Sequence, residues 1–569
     1  MKANSWKRTF SAVLAALLCV SAAGCGQNEA SSKESIPQSS AAQSESSSSE
    51  EKLYYNKTGY PICDETITVT CSGPNGSSYD WNATRFKEEM RDRMGIDIEF
   101  TSYSPDDWNT QLSLMISSDT LTDLICHASI DRSQMNLWGA DGYFLDISQY
   151  LELAPNMNAL FEAEPALKAT FTSDTGAIYG LNQINRAAFS NMALTFINNR
   201  WLKNVGMETP TTTDELYEVL KAFKEQDANG NGDPNDEIPY GAGKGYTSSP
   251  ERTLLNAFGV YSTNANYCLQ VVDGKVSAGN TTENYKAFLK YMHKLYEEGL
   301  MDPEAYVQTA EQMLDKGKND RIGFYGGNEP AFIRGLTQEE DINWDAIMGL
   351  TSPMSDTKAV TLTSGISGSV RMAISNTTQY PEALVRLFDY FYTDEGRIET
   401  RYGYEGESFQ WVEDDVVGGK APAYIQSEDE TGRQFKYILD YAFDVNFVTN
   451  KFDTCAGVDY STLPEEDYVK LVGAYGWVAP IYKAFNADGI VSVSTYPNVS
   501  YTQEEATERA TLLNDITNTA SNAKVSFITG ETDIDSGWEN YVSELNQMGL
   551  ERLVEIDQAA YDRFAANMK

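Results

Sequence analysis

TITVTCS at Thr66 to Ser72, GIDIEF at Gly95 to Phe100 and TDLICHA at Thr122 to Ala128 are three apolar runs of strand length, and what separates them decides the fold. Between the first two, Phe86 and Met90 stand four residues apart in a polar stretch, a spacing that puts both on one face of a helix. Between the second and third, QLSLMIS (Gln111 to Ser117) has the same helical period. The order strand, helix, strand, helix, strand predicts an α/β fold on a parallel sheet, because parallel neighbours need a crossover long enough to hold a helix. Ligands of such sheets bind outside the carboxyl ends of the strands. Those ends carry Ser72 to Trp81 and His127 to Trp138.

Downstream the pattern restarts near Phe196, with the strand TFINN and then WLKNVGMETPTTTDELYEVLKAFKEQD, where Thr213-Asp214-Glu215 after a proline signals a helix start. IGFYGG (322–327) reads as a strand closed by a glycine turn, SGSVRMAIS (367–375) as a strand that returns the chain to the first lobe, and PEALVRLFDYFYTDEG (381–396) as a helix. From NAKVSFITG (522–530) to the end the expectation is strand, turn, helix, helix. No internal repeat is present, so the two lobes exchange the chain more than once. The expected organisation is a leader at 1–24, a tether at 25–60, the first part of an N-lobe at 61–195, the main part of a C-lobe at 196–365, and crossover segments and helices completing both lobes at 366–569, with a ligand cleft between the lobes. A chain of 569 residues, 41% of them hydrophobic, can fill two such cores.

At the N-terminus, Lys2, Lys7 and Arg8 precede an apolar run from Phe10 to Ala23 that ends Ala22-Ala23-Gly24-Cys25. This is a signal peptide, because the run falls short of the roughly 20 residues that a bilayer span needs. The small residues before Cys25 resemble a bacterial lipobox, with Ala22 where leucine is commoner, and that resemblance implies a diacylglyceryl thioether on Cys25. A plain secretory signal with an incidental cysteine is the competing reading. Residues 26 to about 52, rich in Ser, Glu and Gln, have almost nothing to bury and suit a disordered tether directly after an anchor.

Charge excludes one class of partner. Lys and Arg total 43 against 83 Asp and Glu, and loss of Lys2, Lys7 and Arg8 with the leader leaves 40 against 83, a charge near −43. Nucleic acid is excluded, and a neutral solute fits best, although a local basic pocket can act within a screening length of ~10 Å. No later run is long and apolar enough to span a bilayer. Five cysteines besides Cys25 follow the leader: Cys63, Cys71, Cys126, Cys268 and Cys455. Cys71 and Cys126 close two strands that adjacent strand ends would bring together, either as a disulfide or as buried free thiols. His127 and His293 have no partner at metal-ligand spacing, which leaves a zinc site or a His-based triad without support. His293 falls in a helical stretch and reads as structural, whereas His127 follows a strand at the expected cleft.

Several motifs in one order carry a family resemblance over nearly the whole mature chain: DLICHA and GYFLDISQYLELAPN (123–156), GAIYGLNQ (176–183), FINNRWLKNVGMETPTTTDELYEVLKAFKEQDANGNGDPNDEIPYG (196–241), LYEEGLMDPE (295–304), PEALVRLFDYFYTDEG, RYGYEGESFQWVED (401–414), and FITGETDIDSGWENYVSELNQMGLERLVEIDQAAYDRF (527–564). The sequence resembles the family 1 extracellular solute-binding proteins of ABC transporters, in the long subgroup related to the lipoprotein LplA and to alginate-oligosaccharide-binding proteins. The resemblance implies two α/β lobes joined by crossing strands that close over an oligosaccharide, a separate ABC permease as partner, a monomer, and no catalysis.

The sharpest local signal is Asp227-Ala228-Asn229-Gly230-Asn231-Gly232-Asp233-Pro234-Asn235-Asp236-Glu237, which resembles an EF-hand-type loop. Side-chain oxygens at positions one, three and five, with glycine at six for the turn, are the spacing that wraps a hard cation such as calcium, and Asp233 adds its carbonyl. Position twelve is Ile238 instead of glutamate, so closure falls to Asp236 or Glu237. A metal-free Asn/Gly/Asp turn is the alternative.

Sugars are gripped by apolar ring faces stacked on flat aromatics, with polar groups at the rim. The aromatic candidates beyond strand ends or in polar segments are Tyr79, Trp81, Trp138, Tyr325, Trp411 and Trp477, and His127 joins them by its position after a strand; Trp108, Trp201 and Trp538, in helical motifs, read as core. Asn185 and Arg186 on the first crossover and Arg371 on the second are polar candidates, each equally suited to a hinge ion pair. Two other classes remain open. An oligopeptide-binding protein of the same transport logic fits the composition, and an exported carbohydrate-active enzyme would need two carboxylates across a cleft, for which Glu405 and Glu407 are the most tempting pair.

Overall fold

The computed structural model describes residues 53–75, 80–184, 195–233, 235–243, 248–262, 266–326, 344–362, 366–414, 419–425 and 489–568. Chain order begins with β1 (Ile67–Pro74), β2 (Ile96–Tyr103), β3 (Leu124–Ile125), β4 (Ile130–Asp131) and β5 (Leu181–Ile184). β1 runs parallel to both β2 and β3, with Ile67 opposite Ile96 and Cys71 opposite Leu124. The helical connection between β1 and β2 is started by Thr84, whose hydroxyl accepts from Lys87 N, and it buries Phe86, Met90 and Met94 against the sheet. It ends at Gly95, in left-handed backbone at φ 72°, where an added Cβ would stand 2.1 Å from the Cys63 carbonyl oxygen; only glycine fits there. The TDLICHA strand is shorter than its apolar run because His127 turns the chain with φ at 50°.

The second sheet holds β6 (Thr195–Asn198) and β7 (Ile238–Tyr240); after the hairpin of β8 (Leu269–Val272) and β9 (Lys275–Ala278) it adds β10 (Ile322–Gly326) and β11 (Trp344–Ala346), in the order β11-β6-β10-β7. The chain then passes through β12 (Lys358–Leu362) into β13 (Ile366–Ile374), which returns to the first sheet and lies antiparallel between β3 and β4, with β5 also paired to it. The parallel sheet expected from the sequence is therefore a three-strand nucleus, β2-β1-β3, extended by antiparallel strands. β14 (Phe409–Asp414) and β15 (Gly419–Tyr424) form a hairpin, and β16 (Ile490–Ser494) pairs in parallel with β12.

Two cores follow from this layout. Val69, Phe86, Phe161, Phe171 and Phe388 share one cluster under the first sheet, and Trp201, Phe223, Tyr285, Phe288, Trp538 and Leu553 share another beside the second. Trp108, Trp201 and Trp538 are all buried, in keeping with their helical motifs. The helix Thr213–Glu225 begins with a reciprocal capping box between Thr212 and Glu215. His293 lies on the helix Glu283–Glu297 with Nδ1 3.0 Å from the Ile528 carbonyl oxygen, a packing role.

One expected strand is absent. NAKVSFIT falls inside the helix Gln503–Thr529, whose buried residues Ile516, Ala520, Lys524, Phe527 and Ile528 recur at helical spacing. The short apolar run matched a strand locally, and the helical period emerges only when the preceding two turns are counted. Cys63, Cys71, Cys126 and Cys268 are buried free thiols; adjacent strand ends do bring Cys71 and Cys126 together, and burial followed by the Cys126 hydrogen bond pushes the Cys71 thiol up. Cys455 and Cys25 lie outside the described residues.

Candidate functional site

Strand register locates the cleft. Ile184 at the end of β5 pairs with Ile366 at the start of β13, and β13 is antiparallel to β3, so both connections leave the first sheet at the carboxyl ends of β1 and β3. In the second sheet β6 begins beside Gly326, the last residue of β10, and β10 is parallel to β7. The crossing from β5 to β6 thus joins the carboxyl edges of the parallel strands in both sheets, the edges where α/β folds place ligands, and the crossing from β12 enters the first sheet at the same edge.

On the first edge stand Ser72, Trp81, His127, Ser129 and Arg371. Trp81 is 7% exposed; its ring stacks on His127 at 5.0 Å and meets Phe100 edge-on. His127 Nε2 is sealed from solvent, and burial, with the nearby Arg371 cation adding to it, pulls the imidazole down to about 3, so the ring is neutral over the working pH range. Arg371 on β13 donates from Nη1 to Ser129 Oγ at 3.1 Å. Sequence reasoning missed Ser129; it stands more than 240 residues from Arg371, and only sheet pairing joins them.

The other candidates divide. Trp138, on the helix Arg132–Ala140, is partly exposed and packs on Phe144. Trp411 on β14 is partly exposed and edge-on to Phe409. Tyr325 is fully buried between Phe196 and Trp344, leaving its ring no open face for a sugar, because the pleat of β10 turns it into the sheet's own core. Tyr79, Asn185, Arg186 and Trp477 lie outside the described residues. Glu405 and Glu407 sit on one turn, and Glu407 is paired with Arg85 at 3.5 Å, so they do not face one another across a cleft as a hydrolytic pair must.

The Asp227 to Glu237 loop folds its oxygens inward. Asn229 Oδ1 accepts from Asn231 N at 2.9 Å, Asn231 Oδ1 from Asp233 N at 2.7 Å and Asp227 Oδ2 from Gly232 N at 2.9 Å, while Gly230 and Gly232 take left-handed backbone at φ 76° and 92°. The amides of Asn229 and Asn231 donate to Asp236 at 3.0 and 3.1 Å. Asp233 Oδ1 accepts from the backbone and side-chain amides of Asn235 at 3.2 and 3.1 Å. Two carboxylate oxygens in this loop, Asp227 Oδ1 and Glu237 Oε2, are sealed from water without a donor. Burial raises the Glu237 carboxyl, and Asp236 adds to it. No group of three or more His, Cys, Asp or Glu side chains suited to a metal occurs among the described residues, and this loop mixes carboxylates with amides. An all-oxygen donor set with two orphaned carboxylate oxygens fits a hard cation, which would satisfy both. Arg200, paired with Asp320, braces the loop through the Asn229 carbonyl at 3.3 Å, and Arg321 Nε donates to Asp236 O at 2.9 Å. Neither brace was legible in the sequence, because each comes from a distant element.

Comparison with known proteins places this geometry. The family signature "Bacterial extracellular solute-binding protein" matches residues 79–398. The fructooligosaccharide ABC transporter substrate-binding protein FusA of Streptococcus pneumoniae serotype 4 is 26% identical over 518 residues, covering 88% of this chain and 90% of that protein. The structure of an EF-hand mutant of S. pneumoniae FusA in complex with fructo-nystose superposes with a TM-score of 0.69 at 24% identity, covering 88% of this chain and 100% of that one. An HMO-binding solute-binding protein associated with an ABC transporter, from Bifidobacterium longum infantis, superposes with a TM-score of 0.70 at 22% identity, covering 88% and 99%. The two superpositions establish the two-lobe α/β fold. The family match extends over more than half of the chain, and on that match the protein belongs to the bacterial extracellular solute-binding proteins.

Proposed function

We propose that this protein is a lipid-anchored extracytoplasmic receptor that captures an oligosaccharide in the cleft between its lobes and delivers it, as a monomer, to an ABC permease without chemically altering it. The observation that carries the reading is the pair of carboxyl edges joined by the crossing strands, with the Trp81–His127 stack, Ser129 and Arg371 on one of them. The donors of Ser129 and Arg371, with the partly exposed Trp138 and Trp411 rings as apolar faces, suit a saccharide, whose rings have apolar faces and hydroxyl rims. Trp138 and Trp411 are the further aromatic candidates among the described residues, and Tyr79, Asn185, Arg186 and Trp477 remain candidates from the sequence. The likeness to FusA, a fructooligosaccharide receptor, supports the same class of solute.

Calcium in the Asp227 to Glu237 loop completes the reading. Asp227, Asn229, Asn231, Asp236 and Glu237 would hold it with the Asp233 carbonyl, and the ion would neutralise the clustered carboxylates and lock the loop against β7 and β10. The relative whose EF-hand was mutated supports a metal at such a loop.

The test is calorimetry of the purified protein against panels of oligosaccharides and of short peptides, with chromatography of the recovered ligand. Binding of an oligosaccharide recovered unchanged is expected. Binding of peptides alone would replace the reading with an oligopeptide receptor, and cleaved product would replace it with an enzyme.

A further inference from the structure

Arg85 follows Trp81 by four residues and opens the helical connection between β1 and β2, and the chain between the two is pinned, with Thr84 Oγ1 donating to Trp81 O at 2.8 Å. One face of that connection, Phe86, Met90 and Met94, is spent on the first core. Arg85, Glu89 and Arg93, spaced by four, make a charged row along it: Arg85 Nη2 lies 3.0 Å from Glu89 Oε2, and Arg93 Nη1 lies 3.8 Å from Glu89 Oε1. The row meets the helix Asp394–Tyr402 and the turn after it. Arg93 pairs with Glu395 at 2.5 Å and with Glu399 at 2.8 Å. Arg85 holds the turn, with Nε 3.5 Å from Glu407 Oε2 and the guanidinium 4.8 Å over the Tyr404 ring.

The turn passes this hold to the β14–β15 hairpin. Ser408 Oγ donates to Tyr402 O and accepts from Tyr404 N, both at 2.7 Å; Gly406 N donates to Phe409 O at 2.7 Å; and Ile425 N, just past β15, donates to Ser408 O at 2.9 Å. Phe409, the first residue of β14, is buried and meets the Trp411 ring edge-on. A stiff path therefore runs from Arg85 through Tyr404, Ser408 and Phe409 to Trp411, and it starts beside Trp81 at the carboxyl end of β1. The Arg85 and Glu407 side chains are 30% and 44% exposed, and ion pairs so exposed add little to stability, so the clasp acts chiefly on where the hairpin sits.

We propose that Arg85 is a positioning residue for solute binding: it seats the hairpin that carries Trp411 against the edge that carries Trp81, Ser129 and Arg371. This deepens the oligosaccharide reading and rests on it. A hairpin without its clasp has to be ordered by the solute itself, and the cost of that ordering is subtracted from affinity.

The test is calorimetry of the full-length protein with nystose, maltotetraose, xylotetraose and lacto-N-tetraose, the tightest binder of wild type then being carried through the variants. Arg85→Gln and Glu407→Gln should each weaken it by roughly three- to tenfold, with little change in melting temperature. Arg85→Lys keeps the charge and loses the planar stack on Tyr404, so its affinity should fall between those of wild type and Arg85→Gln. In a Trp411→Ala background the loss caused by Arg85→Gln should vanish, because no ring is left to position, whereas a purely structural role costs the same in either background. An undiminished loss in that background, wild-type affinity in Arg85→Gln and Glu407→Gln, or wild-type affinity in Trp411→Ala alone overturns this inference while leaving an oligosaccharide receptor. A wild-type protein that binds no oligosaccharide overturns the receptor reading and this inference with it.

Discussion

At the residue scale, the loop from Asp227 to Glu237 gives the most direct test. Its two water-sealed, unpartnered carboxylate oxygens make the apo loop a stability deficit that a cation removes. A ligand that binds only the folded state stabilises by roughly 2.7 kcal/mol at a hundredfold excess over Kd, so chelation should lower the melting temperature and Asp227→Ala should abolish the chelator's effect. A melting curve indifferent to chelator, together with no metal by elemental analysis, would leave only a turn. Aromatic residues need separate treatment. Trp411 is partly exposed, and Trp411→Ala should weaken sugar binding by ~1–3 kcal/mol with little change in melting temperature. Trp81 is largely packed, so Trp81→Ala should also cost ~3–5 kcal/mol of stability, measured by urea unfolding. His127 sets a pH dependence: folded, it protonates near 3, and unfolded near 6.5. As pH falls through 6.5 the unfolded chain takes the proton first, so stability drops between about 6.5 and 3. His127→Asn, which tolerates the left-handed backbone at φ 50°, should flatten that limb of the stability profile; an unchanged slope would assign it to other groups.

At the element scale, the long helix Gln503–Thr529 and the last helix Leu550–Asn567 are bolted by a buried carboxylate. Asp557 is fully buried, pairs with Arg509 at 2.6 Å and accepts from the Tyr267 and Tyr501 hydroxyls at 2.7 and 2.6 Å. Removing one partner of a buried pair strands the other, so Asp557→Ala should cost ~3–5 kcal/mol in urea unfolding. A cost below ~1 kcal/mol would mean that water reaches Arg509. The same region joins the first lobe: Ser500 donates to Thr172 O at 2.8 Å, and Ala169, Val499, Ala560 and Phe564 form a small shared cluster. Locally this element reads as a strand because eight residues with three β-branched members, Val525, Ile528 and Thr529, satisfy either period; the helix is decided by contacts with the second core that no local window contains.

At the scale of the whole molecule, anchoring is the remaining prediction. Radiolabelled fatty acid should enter the wild-type protein through Cys25, and Cys25→Ser should abolish labelling; wild type found wholly in the medium without lipid would reduce the leader to a plain secretory signal. What the sequence by itself determined was local: the alternating strand and helix periods of the β2-β1-β3 nucleus, the helix start at Thr213, and the spacing of oxygens and glycines from Asp227 to Gly232. Each depends on residues within about a dozen positions of one another, where backbone geometry dictates which side chains share a face. Tertiary structure alone decided that β13 enters the first sheet antiparallel from more than 240 residues beyond β3, that both crossings meet the first sheet at its carboxyl edge, and that Tyr325 turns into a core. Pairing and burial are properties of the space around a residue, and that space is filled by segments far away in the chain.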